Sequence, residues 1–570
     1  MKSWIRGTIL GDTIRLLLGS RWLSYPEDDS IFDFRQLKCA SCLDEHSHRD
    51  LESGQETFRY AEKLCTATKA DGSLIIDWYT PDDLENPLNW SVGRKAWVII
   101  LISVYTFIVY CGSSIFIPSY EFMMRRYGVS LEVVQLTLAI YVIGYGVGPL
   151  IFSLLSEIAR IGRNPPYVLS FILLVLVSII LAVIDNFPAI VVLCFLQGFF
   201  GSPSVASGGA SIQDFFSLID APYGFISWVT GFYCGPALGP LLAAYAVTSD
   251  WRWPLREIVL MGAPLLLIIV CLLPETSHET ILLRRAQRLR RFHPAVLAPA
   301  ETKRLDFKAI LIDALIKPIE IAVKDPAIAY MCVYSALVYA IYYSFFEAFP
   351  IAYDGIYQMP QATLSLIYLS LIDGCALAAV LYAAYLKYIF IPRCHNGNPR
   401  QEDRLIPALV AVWLLTAGLF MFAWAARRSV HWIVPTIGIA IYSGSSFVVF
   451  QAIIVYVPLS YPRYVASLYA ASDFARSIIA AGFVMFARYM YLDLGIGKGV
   501  TVLAGLSVGG IFGMIFIYLY GAKLRARSKF ALETDHGRAL LRLPTSSNPY
   551  TPGLHFFCKE NTNATKLIPN

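Results

Sequence analysis

The chain has 570 residues, of which 56% are hydrophobic and only 15% charged, and its net charge is +5. Soluble domains carry about 25% charged residues, so this composition excludes a soluble multidomain chain and points to an all-α polytopic membrane protein. No aromatic-interleaved basic patch suggests nucleic acid as a partner, and the eleven cysteines are scattered through apolar runs without a disulfide framework.

In chain order, residues 1–94 form a polar tail. Within it Trp4, Ile5, Ile9, Leu16, Leu17 and Trp22 interleave with Arg6, Arg15 and Arg21, the pattern of an amphipathic helix lying at a lipid surface. Cys39, Cys42, His46 and His48 are zinc-type ligands, but their spacing is too tight for a structural site, so they read as reduced tail residues and no metal is expected. A spanning helix needs roughly 20 apolar residues. Twelve such runs are predicted, at about 96–117, 133–155, 166–184, 188–210, 222–246, 255–273, 327–349, 363–386, 406–425, 431–456, 466–488 and 499–521. They divide into a first six-helix bundle (95–273), a basic linker (274–326), a second bundle (327–522) and a C-terminal tail (523–570). The linker carries Arg284, Arg285, Arg288, Arg290 and Arg291, and the last tail opens with Lys523, Arg525 and Arg527. Lysine and arginine mark cytosolic loops, so both termini are expected in the cytosol, and the sequon at Asn563 is expected to go unused.

The fourth run holds C-F-L-Q-G-F-F-G-S-P (194–203), whose glycines suit a helix buried in protein; Gln197 is expected to turn its amide to a cavity. The fifth reads G-F-Y-C-G-P-A-L-G-P (231–240). Gly231, Gly235 and Gly239 recur every four residues and stack on one face, where small residues admit a neighbouring backbone. Pro236 and Pro240 remove donors from the same stretch. In the seventh run Tyr339, Tyr343 and Glu347 are four apart and share a face, offering aromatic surface and a carboxylate to an amphipathic, aromatic or cationic substrate. An ionisable group inside a bilayer is a functional candidate; Glu347 also stands close to Pro350, where the alternative is a hydrated residue at the membrane boundary. Asp373 lies mid-run in the eighth span as a candidate proton or substrate site, Gln451 lies in the tenth, and Asp473 and Arg476, three apart in the eleventh, are placed to neutralise each other. No G-x-x-x-x-G-K loop followed by Ser or Thr is present, so no nucleotide cofactor is expected and uphill work would draw on an ion gradient. No clustered nucleophile and base suggest an enzyme.

The glycine–proline motif resembles the antiporter motif of major facilitator superfamily exporters, and S-E-I-A-R-I-G-R (156–163) resembles that family's loop signature between the second and third spans. E-N-P-L-N-W-S (85–91), W-R-W (251–253), P-E-T-S (274–277), Y-Y-S-F-F-E-A-F-P (342–350) and L-R-A-R-S-K-F-A (524–531) are similar to the fungal drug:proton antiporter branch with twelve spans. The resemblance implies a major facilitator fold of two pseudo-symmetric six-helix bundles. It implies proton-driven export of a small organic molecule from the cytosol across the plasma membrane; the partners expected are the substrate, protons and the lipid bilayer, with a monomer as the working unit. Multidrug, polyamine and toxin exporters belong to the branch, and a cercosporin-type toxin exporter giving self-resistance is one specific case. It also implies a cytosolic gate at Glu157, Gly162 and Arg163, with Asp214 within reach of the arginine and the start of the eleventh span near Ser467 facing Glu157. The chain departs from the branch at Cys194, where an arginine that assists proton coupling usually stands; coupling is expected to have moved to Glu347 or Asp373, the alternatives being transport that is uncoupled or driven differently and an arginine not essential in this branch. The alternatives are a proton-coupled importer or facilitator, of polyamines for example, and a non-transporting sensor.

Overall fold

The computed structural model of the protein describes residues 2–19, 22–28, 74–80, 82–217, 219–292, 294–302, 323–396, 400–460 and 465–527, with Ile316, Glu320 and Ile321 between. The Cys39–His48 cluster, the Asn563 sequon and residues 528–570 lie outside them.

Eleven helices among the described residues are long and apolar enough to cross a membrane. Six belong to the first half: Val92–Tyr127, Leu131–Glu157, Asn164–Val183, Phe187–Phe215, Ala221–Ala246 and Trp253–Leu272. The second half holds Pro326–Ile356, Gln361–Cys394, Gln401–Ala425, Ile433–Val457 and a 60-residue stretch, Leu468–Arg527. That last stretch is two spans. Gly495 leaves the helical region (φ 78°, ψ 156°), and the chain folds back so that Gly499 lies against Tyr491. Only glycine adopts that φ without strain, so the turn between the eleventh and twelfth spans sits there.

Local chemistry starts the spans. Ser91, Asn186 and Asp325 cap the first, fourth and seventh by accepting from Arg94, Ala189 and Ala327 backbone N–H groups at 3.4, 3.2 and 3.0 Å. Prolines fill first-turn positions of the third, fourth, sixth, seventh and ninth, where their missing N–H is no loss.

The halves are built alike. In the first, the second and fourth spans cross at Gly144 and Gly198; a Cβ on Gly198 would lie 3.1 Å from the Tyr145 nitrogen. In the second, the eighth and tenth cross at Gly374 and Gly444, where a Cβ on Gly444 would lie 2.6 Å from the Gly374 oxygen. Across the middle of the molecule the second span faces the eleventh, and the fifth faces the eighth and tenth.

On the face where the sixth span ends, a small assembly outside the spans covers the first half. The linker helix, His278–Leu289, lies against β2 (Val296–Leu297), which pairs in parallel with β1 (Leu74–Ile75). Arg285 is fully buried, 2.7 Å from both Asp83 and Glu85, and stacks on Tyr79 at 3.9 Å. The linker's basic residues therefore meet acids of the N-terminal segment rather than only water or lipid headgroups. The tail helix, Ile9–Leu18, is pinned by Asp12 to Arg284 at 2.9 Å and leaves Leu16, Leu17 and Leu18 exposed.

Candidate functional site: the seam between the bundles

The glycine stripe of the fifth span packs on the first. Cβ atoms on Gly231, Gly235 and Gly239 would lie 2.9, 2.8 and 2.9 Å from the carbonyl oxygens of Ser103, Phe107 and Cys111. Pro240 cannot donate to the Pro236 carbonyl four residues back, and Ser114 Oγ of the first span supplies that hydrogen bond instead, at 2.8 Å. Gly482 of the eleventh span, by contrast, has open space where its Cβ would be, so this joint is a feature of the first bundle. Gly235→Val is expected to abolish folded protein, since overpacking of even well-placed methyls costs about 1–3 kcal/mol and here the obstruction is backbone. Fluorescence-detected size exclusion of the tagged protein reads the loss; a normal monodisperse peak would refute it.

The seam is closed at three levels. Near the opposite face Tyr489 donates to Glu132 at 2.9 Å and Gln361 to the Pro118 carbonyl at 3.3 Å. In the middle the Tyr145 hydroxyl meets those of Tyr339 and Tyr343 at 2.5 and 3.0 Å. Ser113 reaches the Tyr343 hydroxyl at 3.2 Å, and Tyr342 donates to the Tyr233 carbonyl at 2.7 Å. Nearer the basic face Gln213 donates to Tyr469 at 3.3 Å and Gln451 to the Pro222 carbonyl at 2.9 Å. Two cavities of about 40 and about 10 Å³ remain along it, sharing Phe232, Phe450 and Arg476.

Glu347 is buried, 5% exposed, with Arg488 of the eleventh span 3.7 Å from its carboxylate and Gln135 of the second span beside it. It is therefore an interbundle residue rather than a hydrated one at the boundary. Arg476 is bound to Asp473, as the spacing suggested, and its guanidinium lies over Phe450 at 4.4 Å, Tyr339 at 5.1 Å and Phe232 at 5.9 Å. Sequence reasoning paired these two charges but did not place Arg476 among the seam residues, because its ring partners come from three other spans. Tyr145, Gln135 and Arg488 were missed for the same reason.

Three expectations are corrected. Gln197 does not face a cavity: it is buried inside the first bundle and donates to Ser178 Oγ at 2.8 Å, because Gly198 turns the neighbouring face, not the amide, to the second span. Asp373 is not in the seam. It is exposed on the outer flank of the second bundle, on the wall of an apolar groove of about 500 Å³ between the eighth, ninth and tenth spans. Asp373→Asn is accordingly expected to leave gradient-driven transport within about twofold of wild type, checked by vesicle flux; loss of coupling would contradict that placement. Glu157 does not join the charge pair at the basic face. It stands at the end of the second span without an ion-pair contact among the described residues, and its charge acts on Arg163 only through space, while residues 461–464, before the eleventh span, lie outside them.

The charge pair itself is there. Arg163 grips Asp214 through Nε and, at 3.1 Å, through a terminal nitrogen. Thr276 adds a bond to the same carboxylate at 3.0 Å, and His278 meets the Asp214 carbonyl at 2.6 Å. Gly162 has φ +80°, and a side chain there would run into the Glu275 carboxylate. Glu275 accepts from the backbone N–H groups of Arg163, Asn164, Thr276 and Ser277 at 3.0–3.2 Å. Its motif, P-E-T-S, was visible in the sequence; its role as acceptor for four amides was not. Burial would lower the Arg163 guanidinium, but the Asp214 charge and hydrogen bond outweigh it and hold the group above its ordinary value.

Comparison with known proteins agrees with this architecture. The family model of the Major Facilitator Superfamily matches residues 102–482. "MFS-type transporter pyvG" of Aspergillus violaceofuscus is 42% identical over 468 residues, covering 81% of this chain and 86% of the relative. "Fluconazole resistance protein 1" of Saccharomyces cerevisiae is 35% identical over 501 residues, covering 85% and 91%. The solved proton:xylose symporter XylE superposes with a TM-score of 0.53 at 11% identity, over 76% of this chain and 96% of that one, a likeness of fold alone. Twelve spans in two like-built halves, a seam between them and a family match over most of the chain make this protein a membrane transporter and not an enzyme, and it belongs to the major facilitator superfamily, in the fungal drug-transporter branch.

Proposed function

We propose that the chain exports a small organic molecule, a drug, toxin or secondary metabolite, from the cytosol across the plasma membrane by proton-driven alternating access. The observation that carries this reading is the seam: side chains of both halves close it, and it buries Glu347 and the Asp473–Arg476 pair. A drug-sized ligand occupies about 300–1,000 Å³, far more than the 40 Å³ of the larger seam cavity, so binding requires the halves to part. The contacts that hold them are chiefly neutral hydrogen bonds, each worth about 0.5–1.5 kcal/mol net, weak enough to break and re-form in a cycle. Tyrosines with an arginine and a carboxylate suit an amphipathic or cationic aromatic substrate. The fluconazole-resistance relative supports a drug-like one, and toxin secretion with self-resistance fits the same chemistry. Basic loops support a cytosolic placement of both termini, and the seam lies between two halves of one chain, which supports a monomer in the bilayer as the working unit.

Glu347 is the group assigned to proton coupling. Cys194 is fully buried and has no ion pair among the described residues, and a guanidinium is brought to the seam by Arg476 of the eleventh span. Inside-out vesicles carrying the protein, given a pH gradient and labelled fluconazole, are expected to accumulate label and to lose it when the gradient is collapsed. Accumulation only in right-side-out vesicles would favour the importer, and none in either would refute this substrate class.

A further inference from the structure

Beneath the tail helix, on the basic face, lies a cavity of about 110 Å³ whose walls include Arg6, Trp90, Arg94, Arg284 and Arg288, with Glu85 and Glu275 as the acids. Four buried donors of this wall have no acceptor: the Nε atoms of Arg6, Arg94 and Arg288 and the indole Nε1 of Trp90. Buried polar groups are nearly always hydrogen-bonded, and an uncompensated buried charge is more costly still. Arg6 and Arg94 have no ion pair among the described residues; they lie over the Tyr25 ring at 5.6 Å and the Trp90 ring at 4.2 Å. The acids are committed elsewhere. Glu85 binds Arg285 and Arg288 at 2.7 and 3.0 Å, and Glu275 accepts from the four amides already described. Arg284 is paired with Asp12. What remains among the described residues is two guanidiniums without an ion pair and four donors without an acceptor, lining one space of about 110 Å³, the donor types that recognise phosphate.

We propose that this cavity binds a phosphate group, either the free anion or the phosphomonoester of an anionic lipid headgroup, which phosphatidylcholine lacks. Its place favours neither source alone: it opens among charged residues, yet the same tail exposes Leu16, Leu17, Leu18 and Trp22. A phosphate there joins the tail, the start of the first span and the linker helix through Arg6, Arg94 and Arg288. It also lies beside Glu275, whose backbone N–H donates to the Gly7 carbonyl at 2.9 Å and whose carboxylate holds the Arg163 loop. Occupancy thereby steadies the Arg163–Asp214 clamp.

The test uses the purified full-length protein in phosphatidylcholine nanodiscs, titrated with inorganic phosphate, and in nanodiscs doped with phosphatidylinositol 4-phosphate. A rise in melting temperature with phosphate alone identifies the free anion; a rise confined to the doped discs identifies the lipid. In either case Arg6→Gln and Arg94→Gln are expected to weaken the effect at least about tenfold each, and the double variant to remove it. Trp90→Phe, which keeps the ring and removes one donor, gives a smaller loss and serves if an arginine variant misfolds. A melting temperature unmoved by both additions, or moved equally in the double variant, means that the cavity holds only water and overturns the proposal.

Discussion

Arg163→Ala is expected to stop transport and to lower the stability of the first bundle by about 3–5 kcal/mol, the usual result of removing one partner of a buried ion pair. Arg163 and Asp214 are 13% and 15% exposed at the side chain, so water does little to replace the bond. The damage extends beyond one pair, because Thr276 and His278 meet the same aspartate and Glu275 holds the Arg163 backbone. A leucine pair, Arg163→Leu with Asp214→Leu, separates scaffold from gate. It removes both charges and should recover most of the lost melting temperature; if the clamp must open and close during transport, flux stays near zero. Recovery of flux along with stability would show that the clamp is only structural. The clamp also has a predictable pH behaviour. The folded guanidinium is held above its ordinary value, so its contribution is complete below the ordinary value and is lost only as pH rises through the folded one. Between about pH 5 and 8 its stability term is flat, and any pH dependence of transport there must arise elsewhere.

The spans were legible because the bilayer sets their length and forbids unpaired backbone; even the eleventh and twelfth, joined by a turn of a few residues, separate at the weakly apolar stretch around Gly495. The glycine stripe was legible as a close-packing face, and the first span proved to be its partner. What an apolar run does not encode is which side of a helix meets protein and which meets lipid. Asp373 and Glu347 looked alike as lone acids in greasy segments, yet one is exposed on the outer flank and the other is buried against Arg488. Gln197 and Gln451 differ in the same way, one bonded within a bundle and one across the seam. Partners separated by most of the chain, such as Tyr145 with Tyr339 or Arg476 with Phe232, leave no local spacing to read. Glu275 was recognisable as part of a motif, but the four amides around it exist only once the loop and the linker have docked.

Glu347→Gln is expected to uncouple transport from protons while sparing the fold. The substitution keeps the side chain's shape and its capacity to bond Gln135, and Arg488, 32% exposed at the side chain, can turn to water. Stability should therefore change by less than about 1 kcal/mol. The functional change is larger. A pH difference of one unit is worth about 1.4 kcal/mol per proton, which at one proton per substrate supports about tenfold accumulation. In inside-out vesicles wild type should approach that ratio and Glu347→Gln should fall to about unity, while exchange of labelled for unlabelled substrate continues because alternation itself is intact. Retained exchange sets this apart from the Arg163→Ala defect, in which both fluxes disappear. Should Glu347→Gln still accumulate substrate tenfold, the coupling carboxylate lies elsewhere, and Asp473, bound to Arg476 in the same seam, becomes the group to replace next.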